Sequence, residues 1–162
     1  MEPILQVKNL SVSFNTLAGT VRAVRDISFD LNKGETLAIV GESGSGKSVT
    51  TKAILGILPK NGRINQGEIW YQGEDLAKYK DEEFCKVRGK RISLVFQDPL
   101  SALNPIMRVG KQITEVLTLS NGLKSSEAKA RAIELIDAVG IPDPAGHYDH
   151  YPFQFSGGMR QR

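Results

Sequence analysis

Alternating apolar and polar residues dominate the first thirty positions of the chain. From Ile4 to Phe14 and from Val21 to Leu31, apolar residues recur at every second position, with a shift of phase near Asn9. A two-residue period places one face of a strand against a core and the other toward solvent. The pattern therefore predicts two half-buried antiparallel strands joined by a polar loop over residues 15–20.

Continuous apolar runs predict further strands. Residues 36–40 and residues 91–96 carry runs typical of strands that are covered on both faces. A shorter strand is predicted over residues 68–71, after a turn-rich connection from residue 59 to residue 67.

Apolar residues at helical spacing predict four helices. The first covers residues 49–58, the second is a short helix over residues 81–87, and two more follow residue 105. The apolar faces of these last two helices are predicted to be Val109, Ile113, Val116 and Leu117 in one, and Ala128, Ala132, Leu135, Ile136 and Val139 in the other. Ser125 is the predicted N-cap of the last helix, and Gly140 is its predicted stop.

The most informative stretch lies between the first apolar run and the first helix. It reads Gly41-Glu42-Ser43-Gly44-Ser45-Gly46-Lys47-Ser48, which fits the phosphate-loop pattern in its required strand, loop and helix context. Glycines let consecutive N–H groups converge on an anion, and the helix adds its unpaired N–H groups and its dipole. Lys47 suits the outer phosphates, and the Ser48 hydroxyl suits a magnesium ion. We therefore predict a nucleotide-binding site here.

A second candidate anion site lies near the end of the sequence. Ser156 is a capping residue, Gly157 and Gly158 carry no side chains, and the residues that follow favour a helix. Such a helix start exposes N–H groups to an anion. Taken alone, the three residues are equally well interpreted as a flexible turn.

Composition narrows the class of protein. The 162 residues are 40% apolar and 24% charged, as in an ordinary soluble globular protein, and the net charge of +3 is too small and too scattered to indicate a nucleic-acid partner. No apolar run approaches the length of a membrane span, so a cytosolic location is predicted. The single cysteine, Cys85, is expected to be buried or half-buried, and His147 and His150 are interpreted as solvated loop residues.

Three blocks in this order resemble the ATPase subunits of ABC transporters, most closely those of the oligopeptide, dipeptide and nickel importer branch. The blocks are residues 41–48, residues 95–105 (Val-Phe-Gln-Asp-Pro-Leu-Ser-Ala-Leu-Asn-Pro) and residues 155–162 (Phe-Ser-Gly-Gly-Met-Arg-Gln-Arg). The resemblance implies an α/β fold, with a P-loop NTPase core that carries an N-terminal antiparallel β-subdomain and a helical subdomain. The implied division falls between residues 1–98 and residues 99–162, and the chain ends before the Walker B strand of the family.

The resemblance also implies roles for single residues, with ATP and Mg²⁺ as the cofactors. Gln97 matches the Q-loop glutamine, which contacts Mg²⁺ and the attacking water, so it is the implied catalytic residue. Ser156, Gly157, Gly158 and Met159 match the signature that contacts the ATP held by a partner subunit. Phe14 lies where the family often places an aromatic residue on adenine, although an aromatic residue at a strand end is equally often part of a core.

The implied function is to couple ATP binding and hydrolysis to the import of oligopeptides, dipeptides or a similar small solute at the cytoplasmic face of the membrane. The implied partners are a second ATPase subunit, identical or related, membrane permease subunits and, indirectly, an external solute-binding protein. No nucleic-acid partner is expected. Because Walker B follows the signature in the family, the chain is interpreted as a fragment that is inactive alone and that pairs with another chain or is only marginally stable.

Two alternatives remain open from the sequence. One is a soluble ABC-type ATPase that acts on DNA or ribosomes, against which the small charge and the block over residues 95–105 argue. The other is a non-catalytic binding module or a nonfunctional remnant.

Overall fold

The computed structural model describes residues 3–96, 98 and 102–162, so Gln97 lies outside the described residues. The chain divides into two compact units, Met1–Ile92 and Ser93–Arg162. This division lies a few residues before the one implied at residue 98. Each unit is described by itself below.

An antiparallel sheet organises the first unit. Its strands are β1 (Leu5–Thr16), β2 (Gly19–Leu31), β3 (Gly62–Tyr71) and β4 (Glu74–Asp75), in the spatial order β2-β1-β3-β4. The predicted pairing of the first two strands is confirmed, with Thr16 opposite Gly19 across a tight turn. The predicted shift of phase is an irregularity in the ladder at Asn9, where φ is 49°. β3 begins six residues before the predicted strand, because residues 62–66 also pair with β1.

Two short helices contribute side chains to the core of this unit. They are α1 (Lys47–Ile54) and α2 (Asp81–Phe84), and a 3₁₀ turn over residues 76–78 precedes α2. The largest fully buried side chains of the unit are Val7, Leu10, Val12, Ile69, Leu76 and Val87. Ala53 and Ile54 of α1 join this core.

The helix α1 ends at Ile54, earlier than the predicted residue 58. Gly56 has a φ of 62°, which ends helical geometry, and the ring of Phe84 fills the space that a Cβ on Gly56 would need. Arg88 fixes this end by donating from Nε to the Leu55 carbonyl at 2.7 Å and from Nη2 to the Gly56 carbonyl at 2.7 Å. The helix that follows the glycine loop is therefore fastened at its far end.

The two predicted buried strands are wrong. Residues 36–40 form no strand, and Val40 is 88% exposed. Residues 93–96 form none either, with Val95 87% exposed, and Ile92 makes a single bridge to Arg88. A strand needs neighbours for its N–H and C=O groups, and apart from this single bridge none of the described residues pairs with either run in a sheet.

The second unit is helical. Its helices are α3 (Val109–Asn121), α4 (Ser125–Ala138), α5 (Pro144–Tyr148) and α6 (Gly157–Gln161), with a 3₁₀ turn over residues 152–154. Its core consists of Val109, Ile136, Ile141 and Phe155, with Ile113, Tyr148 and Met159 packed against them. Gly110 of α3 approaches the Tyr148 ring so closely that a Cβ would not fit.

Some details of the helical predictions are wrong. The N-cap of α4 is Lys124 rather than Ser125, and the Glu127 carboxylate accepts from the Lys124 N–H at 3.3 Å. Val116 of α3 is 60% exposed, and Val139, which is the C-cap residue just past the end of α4, is 40% exposed. Gly140 follows the end of α4 as predicted.

The predictions for the side chains of His147, His150 and Cys85 are also wrong. His147 and His150 are half-buried and pack edge to face, with ring centroids 4.8 Å apart, and His147 lies 5.2 Å from the Phe155 ring. They are therefore part of the packing of the second unit rather than solvated loop residues. Cys85 is exposed, because α2 turns Phe84 rather than Cys85 toward the core.

No helix within residues 3–96, 98 and 102–162 combines the length and the apolar character that crossing a bilayer requires.

Candidate phosphate-binding site

Residues 41–48 comprise a loop over residues 41–46 and the first two residues of α1, Lys47 and Ser48. Within this stretch, the only N–H group with a hydrogen-bond acceptor among the described residues is that of Ser45, which donates to the Glu42 carbonyl at 3.2 Å. The N–H groups at the start of α1 also lack intrahelical acceptors, as at every helix N-terminus. A loop with this many unpaired N–H groups can accept an anion.

Gly46 shows why the loop requires glycine. It caps α1 in a left-handed conformation with a φ of 93°, and a Cβ at this position would lie 2.6 Å from the Ala23 carbonyl oxygen. Its own carbonyl accepts from the Thr50 N–H at 2.9 Å and from the Thr50 hydroxyl at 3.1 Å. Thus β2 and the first turn of α1 fix the loop from two sides.

Lys47 reaches back across the loop. Its Nζ donates to the Gly41 carbonyl at 2.8 Å, to the Glu42 carbonyl at 2.7 Å and to Ser45 Oγ at 3.2 Å. These bonds hold the ammonium group beside the loop N–H groups. The arrangement concentrates positive charge where a phosphate would be held.

A cavity of about 420 Å³ borders the loop. It is lined by Gly44 to Lys47 and Thr50 on one side and by residues of β2, including Ala23 and Val24, on another. The sequence analysis missed the β2 residues, because nothing in an alternating strand marks which positions a distant loop will contact. The nearest usable signal is the small side chain of Ala23, beside which Gly46 packs.

Of the two residues predicted to bind Mg²⁺, Ser48 and Gln97, the structure describes only Ser48. The Ser48 side chain is exposed at the start of α1, and its hydroxyl has no hydrogen-bond partner among the described residues. A free hydroxyl next to a phosphate site suits Mg²⁺, which retains several waters and takes few protein ligands. The described part of the chain contains no cluster of three or more His, Cys, Asp or Glu that could hold a metal. The second predicted ligand, Gln97, lies outside the described residues.

Phe14 lies near the end of β1, between Val21 of β2 and Gly62 of β3. Its ring is half-buried, packs against the core of the first unit and covers Gly62 so closely that a Cβ there would meet the ring. Phe14 therefore contributes to packing. Its contact with adenine stays a prediction.

The second candidate anion site lies in the second unit. Ser156 caps α6, its Oγ accepting from the Met159 N–H at 3.2 Å, as predicted for a capping hydroxyl. Ser156, Gly157 and Gly158 are exposed, while Phe155 just before them is buried in the core. The core thus holds Phe155 at the base of this segment and leaves the start of α6 exposed.

The chain is similar to known transport proteins. The family model described as ABC transporter matches residues 24–162. The dipeptide transport ATP-binding protein DppD of Lactococcus lactis subsp. cremoris is 56% identical over 162 residues, which cover 99% of this chain and 46% of that protein. The oligopeptide transport ATP-binding protein OppD of Bacillus subtilis is 52% identical over 160 residues, 98% of this chain and 45% of that protein. The chain spans about half the length of these curated relatives.

Solved structures share the fold. The dimeric structure of MJ0796, described as a bacterial ABC transporter cassette, matches with a TM-score of 0.79 and 24% identity, over 97% of this chain and 65% of that one. A post-hydrolysis state of the same cassette, described as bound to ADP and Pi, matches with a TM-score of 0.77 and 23% identity, over 97% and 65% of the two chains. At these identities the likeness shows the fold alone.

Proposed function

The chain belongs to the ABC transporter family and has the fold of its ATP-binding cassettes, and from this premise we propose that it is the ATP-binding part of an importer subunit. The subunit would couple ATP binding and hydrolysis to the import of dipeptides or oligopeptides. Relatives named for dipeptide and oligopeptide transport, at 50–56% identity, support this class over ATPases that act on DNA or ribosomes.

The observation that carries the proposal is the loop over residues 41–48, with its unpaired N–H groups and the Lys47 ammonium held beside them. In the proposed function these groups bind the phosphates of ATP. They also stabilise the charge that develops on the transferred phosphoryl group, and because the protein already holds them in place, little reorganisation is needed.

The remaining site residues complete this proposal. Mg²⁺ would neutralise phosphate charge, with the Ser48 hydroxyl and Gln97 as its protein ligands, and Gln97 would also orient the attacking water. Phe14 would stack on the adenine from the end of β1.

The number of helix starts that suit an anion supports the proposal of a partner subunit. The chain carries two helix starts suited to an anion, residues 41–48 and Ser156 to Met159, whereas one nucleotide has one terminal phosphate. In a head-to-tail pair of ATPase subunits, the second site of one chain would contact the ATP held by the other. The pair would act on permease subunits at the cytoplasmic face of the membrane, with an external solute-binding protein delivering the peptide.

The test is stabilisation of the purified protein by Mg-ATP, measured by thermal unfolding. At about one hundred times the dissociation constant, the ligand adds roughly 2.7 kcal/mol to the free energy of unfolding. Lys47→Ala should abolish this stabilisation. Lys52→Ala is the matched control, because Lys52 lies in the last turn of the same helix, away from the loop.

Equal stabilisation of the Lys47→Ala and Lys52→Ala variants by Mg-ATP would reject the loop as the nucleotide site. Loss in both variants would point to damage of α1 rather than to a lost contact. For transport itself, peptide uptake by cells that carry Lys47→Ala should fall to the level of cells that lack the protein.

A further inference from the structure

The antiparallel sheet carries a second, larger cavity that no step of the proposed function uses. Its volume is about 680 Å³, and it is lined by residues of β1, β2 and β3, among them Ser13, Arg22, Arg25 and Arg63. None of the residues from the loop over 41–48 lines it.

The register of the sheet brings two arginines to the same serine. Ser13 of β1 lies directly opposite Arg22 of β2 and directly opposite Arg63 of β3. Residues paired in this way present their side chains on one face. The two arginines are therefore two strand spacings apart, roughly 10 Å, with Ser13 between them.

The hydroxyl of Ser13 is an unusual feature of this wall. The residue is only 2% exposed, and its Oγ is buried with no hydrogen-bond partner among the described residues. An unpaired buried hydroxyl destabilises a fold. Such a group is retained where a ligand supplies the missing partner.

The charges around this hydroxyl are also unpaired. The side chains of Arg22, Arg25 and Arg63 are exposed and form no ion pair or hydrogen bond with the described residues. The one acidic residue of the wall is Asp26, and its carboxylate accepts from Asn9 Nδ2 at 2.9 Å. Three arginines and one aspartate leave the wall with a net positive charge.

We propose that this cavity binds a phosphate group. Like-charged arginines on one sheet face repel each other unless an anion lies between them. A phosphate presents oxygens in several directions, so it can accept from a guanidinium on each side and from the Ser13 hydroxyl at once. A carboxylate has two oxygens in one plane and matches a single guanidinium. The group can be free phosphate or the headgroup of a lipid.

The experiment uses the purified protein in a Lys47→Ala background, which removes phosphate binding at the loop. Inorganic phosphate and pyrophosphate are titrated by calorimetry, and vesicles of phosphatidylcholine with phosphatidic acid are compared with vesicles of phosphatidylcholine alone by co-sedimentation. The test variant is Arg22→Gln with Arg63→Gln. The control is Lys33→Gln with Lys60→Gln, which removes the same charge from exposed positions outside the cavity.

The arginine variant should bind phosphate at least about tenfold more weakly, while the lysine control should bind as before. Ser13→Ala should change two quantities in opposite directions. It should weaken phosphate binding, because it removes a donor to the phosphate. It should raise the Tm measured without phosphate, because it removes an unpaired buried hydroxyl. Calorimetric binding that the arginine variant loses assigns the site to free phosphate, and binding only to the acidic vesicles, also lost in the arginine variant, assigns it to a headgroup.

No binding in either arm overturns the proposal, as does equal loss in the arginine variant and the lysine control, which would show unspecific attraction. Neither result bears on the loop over residues 41–48, which is tested through Mg-ATP in the protein with an intact Lys47.

Discussion

Lys47 already has protein acceptors before any phosphate is considered. Two loop carbonyls and Ser45 Oγ hold its ammonium group at 2.7–3.2 Å, so its position does not depend on a ligand. A charge fixed in this way loses little side-chain entropy when an anion binds, which favours tight binding for few contacts. At this scale the loop is built as a preorganised site.

Gly46 is the residue whose replacement should damage the loop most. Gly46→Ala places a Cβ 2.6 Å from the Ala23 carbonyl in a left-handed conformation, and the conformation alone costs about 1–2 kcal/mol. We expect the Tm to fall by roughly 3–8 °C and Mg-ATP stabilisation to be reduced, both measured by thermal unfolding.

Gly157→Ala is the matched control for Gly46→Ala. Gly157 lies at the start of α6, and a Cβ there meets no atom within 4 Å. The Tm of the Gly157→Ala protein should therefore stay within about 2 °C of the Tm of the unchanged protein, since the added methyl group causes neither a clash nor a strained backbone conformation. A Gly46→Ala protein as stable as Gly157→Ala would contradict the strain described at Gly46.

Site features formed by consecutive residues can be predicted from the sequence, whereas features that depend on strand pairing cannot. The residues of each candidate helix-start site are consecutive in the chain, so the spacing over residues 41–48 predicts the loop by itself, and Ser156 to Gly158 are visible as a possible cap. The cavity at Ser13 depends on a register that brings together residues from three strands. A shift of one residue in that register would turn Ser13 to the other face, so no pattern within a single strand could predict it.

At the scale of elements, predictions succeed where an element finds its partners nearby in the chain. β1 and β2 form a hairpin and were predicted correctly, whereas residues 36–40 have the composition of a strand and no strand geometry. The same apolar run is a strand only when other strands flank it. The sequence predicts a longer α1 than the structure shows. The contact between Phe84 and Gly56 that accompanies the end of the helix involves a residue far along the chain, so the helical pattern does not reveal it.

Asp75 fastens the corner between β3, β4 and the 3₁₀ turn. Its Oδ1 accepts from the N–H groups of Ile69 at 3.2 Å and Ala77 at 3.1 Å, and its Oδ2 lies 3.0 Å from Lys78 Nζ. Burial raises the pKa of this carboxyl, but the bonds from Lys78, Ile69 and Ala77 outweigh burial and hold the pKa below its usual range. The ionised form therefore stabilises the fold.

Asp75→Asn should lower the free energy of unfolding at neutral pH by about 1–2 kcal/mol, because it removes a charge that three donors share. In the unchanged protein this contribution is complete above the ordinary pKa of about 3.9 and is lost as the pH falls through the lower pKa of the folded state. The difference between the two proteins should vanish in that acidic range. Urea unfolding at a series of pH values measures it.

Asp81→Asn is the control for the Asp75 experiment. Asp81 pairs with Arg88 at 3.3 Å, but its side chain is 90% exposed, and such surface pairs contribute little. Its effect should stay within about 0.5 kcal/mol at every pH. Equal effects of the two substitutions would show that the Asp75 corner has no special role.

At the scale of the whole molecule, each unit contributes one helix start that is suited to an anion. The first unit carries the loop over residues 41–48, and the second carries the exposed start of α6. The proposed function requires both sites to act on one nucleotide, which two copies or two related chains can provide. The association state in the presence of ATP is therefore a direct test.

Gly158→Asp should prevent ATP-dependent pairing without altering the fold. The position is exposed, and an added Cβ meets no atom within 4 Å, so the carboxylate would face the phosphate of the partner and repel it. We expect Mg-ATP to convert the unchanged protein from monomer to dimer and to leave Gly158→Asp monomeric but still stabilised by ATP. Light scattering coupled to size-exclusion chromatography measures the mass.

Ser126→Asp adds the same charge at an exposed position in the first turn of α4, where a carboxylate suits the helix dipole. This control should dimerise like the unchanged protein. A Gly158→Asp protein that also dimerises with Mg-ATP would remove the start of α6 from the proposed interface.

The exposed thiol of Cys85 offers a use that follows from the packing of α2. It is the single cysteine of the chain, and its neighbour Phe84 lies against Gly56, just past the end of α1. That helix starts at Lys47 and rises roughly 12 Å over its eight residues. A fluorophore coupled by maleimide would attach at one known place, without any engineered substitution. Its emission would report, in real time, whether filling the loop disturbs the opposite end of the helix.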